Sequence, residues 1–418
     1  MTTPKNAPAD ENADEAEFRV RVVDGFGDID AARWDRMSGA DRSARHAPYN
    51  PFMSHAFLFA LEESGSATRH TGWHPQHLLL EDGSGTLLGG ATGYLKSHSQ
   101  GEYVFDHSWA DAFERAGGRY YPKFQSSVPF TPATGPRLLV SPDINADAGR
   151  VALGSAMAQL AQKLGLSSAH VTFAHESDVV ALKHCNFLHR TDQQFHFQND
   201  GYSTYADFLE TLSSRKRKNL KKERDGARAN GIDIEWLTGS DLTEDVLDTF
   251  FAFYIDTGNR KWGRPYLTRD FFSLVAERMG DDILLVMAKR GGRHIAGAIN
   301  FIGSDAIFGR HWGCVEHHPF LHFEVCYHQA IDFAISRKLK VVEAGAQGEH
   351  KLARGYVPVT THSAHYIPHE GFRGAVADYL EHEREDVARF GEILTKAAPF
   401  KKSDPSAKSQ PTGSDENP

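Results

Sequence analysis

The chain is poor in cysteine, in long apolar runs and in net positive charge, and each shortage excludes something. Its three cysteines, Cys185, Cys314 and Cys326, are an odd number without paired spacing. That argues against a disulfide framework and a zinc site, and fits a reducing cytoplasm. No apolar run reaches the ~18 residues of a membrane-crossing helix. Met1 to Glu17 is polar and acidic and has no apolar segment of the secretory kind. Lysine and arginine total 46 against 55 aspartates and glutamates, a formal net charge of −9. A uniformly basic nucleic-acid surface is thereby excluded, whereas a local basic patch is not. No Gly-x-Ser-x-Gly, Walker or Gly-x-Gly-x-x-Gly motif occurs. The 23 histidines are scattered, and the clusters at 317–322 and 362–365 lack the i, i+4 spacing of common zinc motifs. No metal site is expected.

What is present is a soluble, mixed α/β pattern over 418 residues, more than one core normally supports. Residues 1–17 and 398–418 are charged or Ser/Pro-rich and are expected as disordered tails. Between them lie two blocks, 18–199 and 200–397, with a shared helix–hairpin–strand–helix–strand order. In the first block the pattern predicts a helix over 54–63, a hairpin over 77–91, a strand over 128–139, a helix over 148–164 and strands over 169–173 and 194–198. The second block predicts one long helix over 205–229, a strand over 232–237, helices over 242–257 and 271–278, and strands over 283–288, 295–301 and 307–312. A helix over 322–336 and a strand over 339–344 follow. The expectation is a duplicated α/β unit.

The strand over 339–344 runs into Gly345-Ala346-Gln347-Gly348-Glu349-His350-Lys351-Leu352-Ala353-Arg354-Gly355-Tyr356. Gly345, Gly348 and Gly355 allow positive φ and close approach to a ligand. Charged groups at the exit of a buried strand stand where α/β folds place ligands. Other candidates are spread more widely. Arg215, Arg217 and Lys218 head a basic run that ends at Arg224. It is either a solvated helix face or a phosphate-binding surface. Lys96 opens a polar, aromatic-rich stretch that suits a binding groove. Arg137, after Gly135-Pro136, is either an anion clamp or an interdomain ion pair. Trp262 stands between Lys261 and Arg264 in a loop that could line a cleft.

Several segments together resemble a known family. They include Gly72-Trp73-His74-Pro75-Gln76-His77-Leu78, Tyr94-Leu95-Lys96-Ser97-His98-Ser99, Gly101-Glu102-Tyr103-Val104-Phe105-Asp106, Tyr121-Pro122-Lys123, Val128-Pro129-Phe130-Thr131-Pro132, Ser214-Arg215-Lys216-Arg217-Lys218, Lys261-Trp262-Gly263, Leu321-His322-Phe323-Glu324 and Gly345 to Gly355. Over residues 50–370 the chain resembles the FemAB-like peptidoglycan biosynthesis/recognition proteins of the GNAT acyltransferase superfamily. The resemblance implies two tandem GNAT-like domains and transfer of an acyl or aminoacyl group to an amine, with a peptidoglycan precursor as acceptor. Fem-type transferases carry a Gly-x-x-x-Phe-Lys element after the last strand-turn of the second domain. Gly348-Glu349-His350-Lys351 resembles it, with His350 in place of Phe. Lys351 is thus the expected oxyanion or donor contact. Glu349 and His350 are candidates for general base and proton shuttle, for which an imidazole suits neutral pH.

One departure bears on the donor. GNAT enzymes that use coenzyme A usually carry Arg/Gln-x-x-Gly-x-Gly/Ala after the central strand. Here Gly313-Cys314-Val315-Glu316-His317-His318-Pro319 follows instead. No permanently bound cofactor is expected, and the acyl donor is either aminoacyl-tRNA or acetyl-CoA. A non-catalytic protein that recognises a cell-wall precursor or tRNA is the alternative.

Overall fold

A computed structural model describes residues 18–41, 43, 48–261, 265–345 and 348–401. Residues 1–17 and most of the expected C-terminal tail lie outside the described residues, as does Trp262.

Fifteen strands form two sheets among the described residues. The smaller has four, β1 (Arg19–Val23), β3 (His77–Glu81), β4 (Leu87–Ala91) and β7 (Leu139–Val140), in the order β1-β3-β4-β7. The larger has eleven. The first block supplies β2 (Trp73–Pro75), β5 (Tyr94–Lys96), β6 (Lys123–Ser126), β8 (Ala169–Ala174) and β9 (Leu188–Gln198). The second supplies β10 (Ile232–Leu237), β11 (Ile283–Arg290), β12 (Arg293–Ile302), β13 (Ala306–Cys314), β14 (Val341–Glu343) and β15 (Val357–Tyr366). Their order is β10-β11-β12-β13-β14-β9-β15-β8-β6-β5-β2.

Two of these pairings are parallel, β6 with β8 and β13 with β14. Each needs a crossover longer than a hairpin turn. Helix α4 (Ala146–Lys163) stands between β6 and β8. Between β13 and β14 the chain forms α10 (Leu321–Phe323), a π-helical turn (Glu324–His328) and α11 (Gln329–Ser336). The strands after these pairs then change sides. β9 pairs with β14, placing His196 opposite Glu343, and β15 pairs with β8. β9 and β15 also pair with each other over nine register positions, Val357↔His196 to His365↔Leu188. Each half therefore closes its sheet with a strand from the other.

A second seam is aromatic. Phe52, on a short turn before α2 (His55–Glu63), packs on Phe301 and Phe308 at centroid distances of 5.3 and 5.1 Å. Phe57 packs on Phe301 at 5.3 Å and on Phe271 at 5.6 Å. All five are buried in one apolar cluster drawn from both halves, so sheet and core are continuous across the molecule.

Three predicted elements come out differently. The segment 128–139 forms only the short β7 at its end. Pro129, Pro132 and Pro136 lack the N–H that a ladder needs. The helix expected over 205–229 is two, α6 (Tyr205–Thr211) and α7 (Ser214–Ala227). Leu212 is extended there and bridges Phe400, while the Ser213 N–H donates to the Pro399 carbonyl at 3.1 Å. Residues 398–401 are thereby packed rather than part of a tail, and Phe400 lies against the second-half core. The sequence pattern gives no sign of the long final helix α12 (Glu370–Lys396).

Candidate active site

β13 and β14 touch only where Ala306–Phe308 faces Val341–Glu343. Beyond this β13 continues to Cys314 while β14 ends and the chain turns away through Gly345. The strands diverge, and the gap opens at the carboxyl ends of a parallel pair, where open α/β sheets bind ligands. A bulge shapes its wall. Ile299 pairs with His311 and Asn300 with Gly309, so Arg310 is an extra residue on β13. A bulge beside a site re-aims a side chain. The Arg310 guanidinium donates to the Phe130 carbonyl in the first half, which ties the wall to the 128–137 segment. The opposite wall is the π-helical turn, a form found often at functional sites. Between them is a cavity of about 100 Å³ lined by Asn300, Gly309, Arg310, His322, Cys326 and Tyr327, among others.

Two ionisable groups in this region have ordinary values moved toward each other. Glu343 ends β14, and burial pushes its carboxyl up to about 8 despite the Thr134 N–H and the charges of Arg310 and Arg137. Its Oε2 has no hydrogen-bond partner and lies 3.9 Å from His196 Nε2. Lys351 is 1% exposed, and its Nζ donates to the Gly345 carbonyl at 2.7 Å. Burial pulls its ammonium down to about 8, with Arg310 pulling the same way. Burial, with the Lys351 charge, holds His196 down at about 4, so its imidazole is neutral. Groups displaced by burial and a nearby charge within one cleft mark functional sites.

The loop that carries Lys351 is shaped by its glycines. Gly348 has φ 122°, and a Cβ there would stand 2.5 Å from the His350 ring. Gly355 has φ 87° and would place a Cβ 2.6 Å from Phe208. Between them Glu349–Arg354 forms a 3-10 turn that buries Lys351 and leaves His350 exposed. His350 Nε2 sits 2.9 Å from the Tyr327 hydroxyl. Partial burial, Arg354 and Lys351 lower its pKa. The Glu349 side chain lies outside the described residues.

Arg354, not singled out from sequence, locks this turn. It forks onto Glu223 at 2.8 and 2.7 Å and lies 3.4 Å over the Phe323 ring. Glu223 in turn meets His328 Nε2 at 2.8 Å.

The remaining predicted residues are distributed unevenly. On α7 the inner end is engaged: Arg224 is bidentate to Glu324 at 3.0 and 2.9 Å and also reaches Asp332. Arg215 and Lys218, at the other end, are exposed and Arg217 is half-buried. Three cations, Arg215, Lys216 and Arg217, in the first turn of a helix oppose its dipole, so the segment itself gains nothing from them. Arg137 is spent on the chain: it donates to the carbonyls of Thr172 (2.9 Å), Ala133 (2.6 Å) and Pro136 (3.3 Å). No ion pair across the halves involves it among the described residues, and its guanidinium holds the proline-rich segment closed. Lys96 lies in a separate buried cluster. Its Nζ donates to the Gln100 carbonyl at 3.0 Å, stands 3.5 Å over Trp73, and is 3.7 Å from Glu102, which also meets Lys123. Of the predicted residues, His350 meets the cavity wall through Tyr327 and Lys351 donates to Gly345 just past Ala344, while Lys96 and Arg137 are engaged elsewhere.

The sequence pattern missed Asn300, Arg310, His196 and Tyr327. Arg310 is marked only by a bulge, and His196 only by a cross-half register. Neither leaves a sequence signal.

A family model described as FemAB-like, peptidoglycan biosynthesis/recognition, matches residues 25–402. The chain belongs to that family. No curated protein matches it. Among solved structures, FemX is similar at a TM-score of 0.51 with 12% identity, over 84% of this chain and 98% of that one. A tandem GNAT protein from the clavulanic acid biosynthesis pathway gives 0.44 and 12%, over 84% and 98%. L-PGS from Bacillus licheniformis gives 0.46 and 8%, over 82% and 96%. The FemX likeness, at 12% identity, shows a shared fold. The family's description connects this FemAB-like chain with peptidoglycan biosynthesis or recognition. No helix of the described residues is long and apolar enough to cross a membrane.

Proposed function

We propose that the chain transfers an acyl or aminoacyl group to an amine of a peptidoglycan precursor, in the cleft between β13 and β14. The observation that carries this is the burial of Lys351 and Glu343 at the carboxyl ends of that parallel pair, each at about 8.

Amide formation needs a neutral amine, a stabilised tetrahedral oxyanion and a proton for the leaving group. Lys351, still mainly protonated at pH 7, is the cation for the oxyanion or the donor carbonyl. Its Nζ is already aimed by the Gly345 carbonyl, so it needs little reorganisation. Glu343 is protonated at neutral pH and can pass that proton to the leaving oxygen or sulfur, then take one from the incoming amine. His350, through Tyr327, is the solvent-side shuttle, with Glu349 as the base expected from sequence. Arg215, Arg217 and Lys218 are the phosphate contacts, since no carboxylate engages them among the described residues. The missing coenzyme A loop after β13 favours aminoacyl-tRNA over acetyl-CoA as donor, in a cytoplasmic reaction.

The test is a titration of the purified chain with acetyl-CoA, charged tRNA and uncharged tRNA, followed by direct binding. Preference for charged tRNA, weakening steeply with salt, is expected. Saturable acetyl-CoA binding with no tRNA effect would contradict the donor assignment.

A further inference from the structure

Asn300 is fully buried on β12 and lines the 100 Å³ cavity. Its Nδ2 donates to the carbonyls of Leu284 (3.2 Å) and Ala298 (3.4 Å). Both partners only accept, so the amide has one orientation: nitrogen toward the strand backbone, oxygen toward the cavity. The Oδ1 has no hydrogen-bond partner. A buried acceptor left open is costly, and such atoms in native folds call for an explanation. Gly309 keeps the space in front of it clear. A Cβ there would stand 3.2 Å from Oδ1 and 3.7 Å from Ala344 Cα. The room is small, about 100 Å³, the share of about three waters at ~30 Å³ each.

We propose that the Asn300 carboxamide oxygen is the specificity-determining contact for the transferred group, accepting a hydrogen bond from an amino group on the carbon next to its carbonyl. This rests on the acyl-transfer reading and deepens it. The niche distinguishes aminoacyl groups from plain acyl groups by the one donor a plain acyl group lacks. A site built to pair a donor rejects the analogue without it, because its own polar atom is then left unpaired. Cavity size adds a second filter, against bulky side chains.

The probes are two stable mimics of an aminoacyl end that differ only in that amine, 3′-glycylamino-3′-deoxyadenosine and 3′-acetylamino-3′-deoxyadenosine, with acetyl-CoA as a third ligand. Each is titrated calorimetrically into the full chain. The glycyl mimic is expected to bind about tenfold or more tightly than the acetyl mimic, the worth of a hydrogen bond to a charged group. Asn300→Ala is expected to abolish that ratio. Because Asn300 also holds two strand carbonyls, Gly309→Ala serves as a second variant; its methyl crowds Oδ1 and is expected to shrink the ratio with the melting temperature monitored. The wild-type ratio decides even if neither variant folds. Equal affinity for the two mimics overturns the proposal. Binding of neither, with saturable acetyl-CoA binding, overturns it and leaves acyl transfer standing. Binding of none of the three removes the reading beneath it as well.

Discussion

Burial brings Lys351 and Glu343 to about the same pKa from opposite sides, and their effects on stability have opposite signs. Burial disfavours the charged form of each, lowering the amine and raising the acid. For Glu343 the folded value is about 8, against ~4.3 unfolded. Between these values the folded state holds a proton that the unfolded state has lost, so stability falls as pH rises through that window. For Lys351 the folded value is about 8, against ~10.4 unfolded. There the unfolded state holds the extra proton, and stability rises with pH from about 8 upward. Urea unfolding from pH 5 to 10 should therefore show Glu343→Gln flattening the lower limb and Lys351→Met the upper. Parallel curves for wild type and both variants would show that neither group is displaced. From sequence, Lys351 stood out because glycines framed it. Glu343 was seen only as a neighbour at the end of a strand, since its burial depends on the 128–137 segment of the other half.

At the scale of elements, α7 has two ends in different surroundings. Glu324, wholly buried, accepts from Arg224, Arg228 and Gln329. Removing the carboxylate leaves Arg224 short of its main partner at a buried site. Glu324→Ala should cost about 3–5 kcal/mol by urea denaturation. Arg215→Ala with Lys218→Ala, at the exposed end, should change stability by no more than about 0.5 kcal/mol, yet weaken binding of a phosphate-bearing donor and lower its salt slope. A stability loss at both ends alike would show that the basic run is structural throughout. The sequence carried most of the second-half sheet, because β11 and β12 are near-continuous apolar runs bounded by Gly291-Gly292. It did not carry β15, whose Pro358 and polar alternation argue against a central strand, although β9 and β8 enclose it on both sides. α12 was missed for a different reason. Only Val376, Leu380 and Leu394 of its 27 residues are buried, so its apolar stripe is thin.

Over the whole molecule, the mixed α/β class was legible but the way strands close the large sheet was not. The two blocks share an element order, and each contributes one parallel pair. What sequence order hides is that β9 and β15 cross over, and that Phe52 and Phe57 pack into the other half. The proposed cleft draws on residues of the first half. His196 reaches Glu343 only because β9 pairs with β14, and Arg310 is held by a carbonyl of the first half. The most direct test of acyl transfer in this cleft is single-turnover kinetics of wild type and Lys351→Met, with charged tRNA as donor and a peptidoglycan precursor as acceptor. Loss of one oxyanion contact predicts a rate about 100- to 1,000-fold lower, with donor affinity little changed. An unchanged rate in a folded variant would contradict the account.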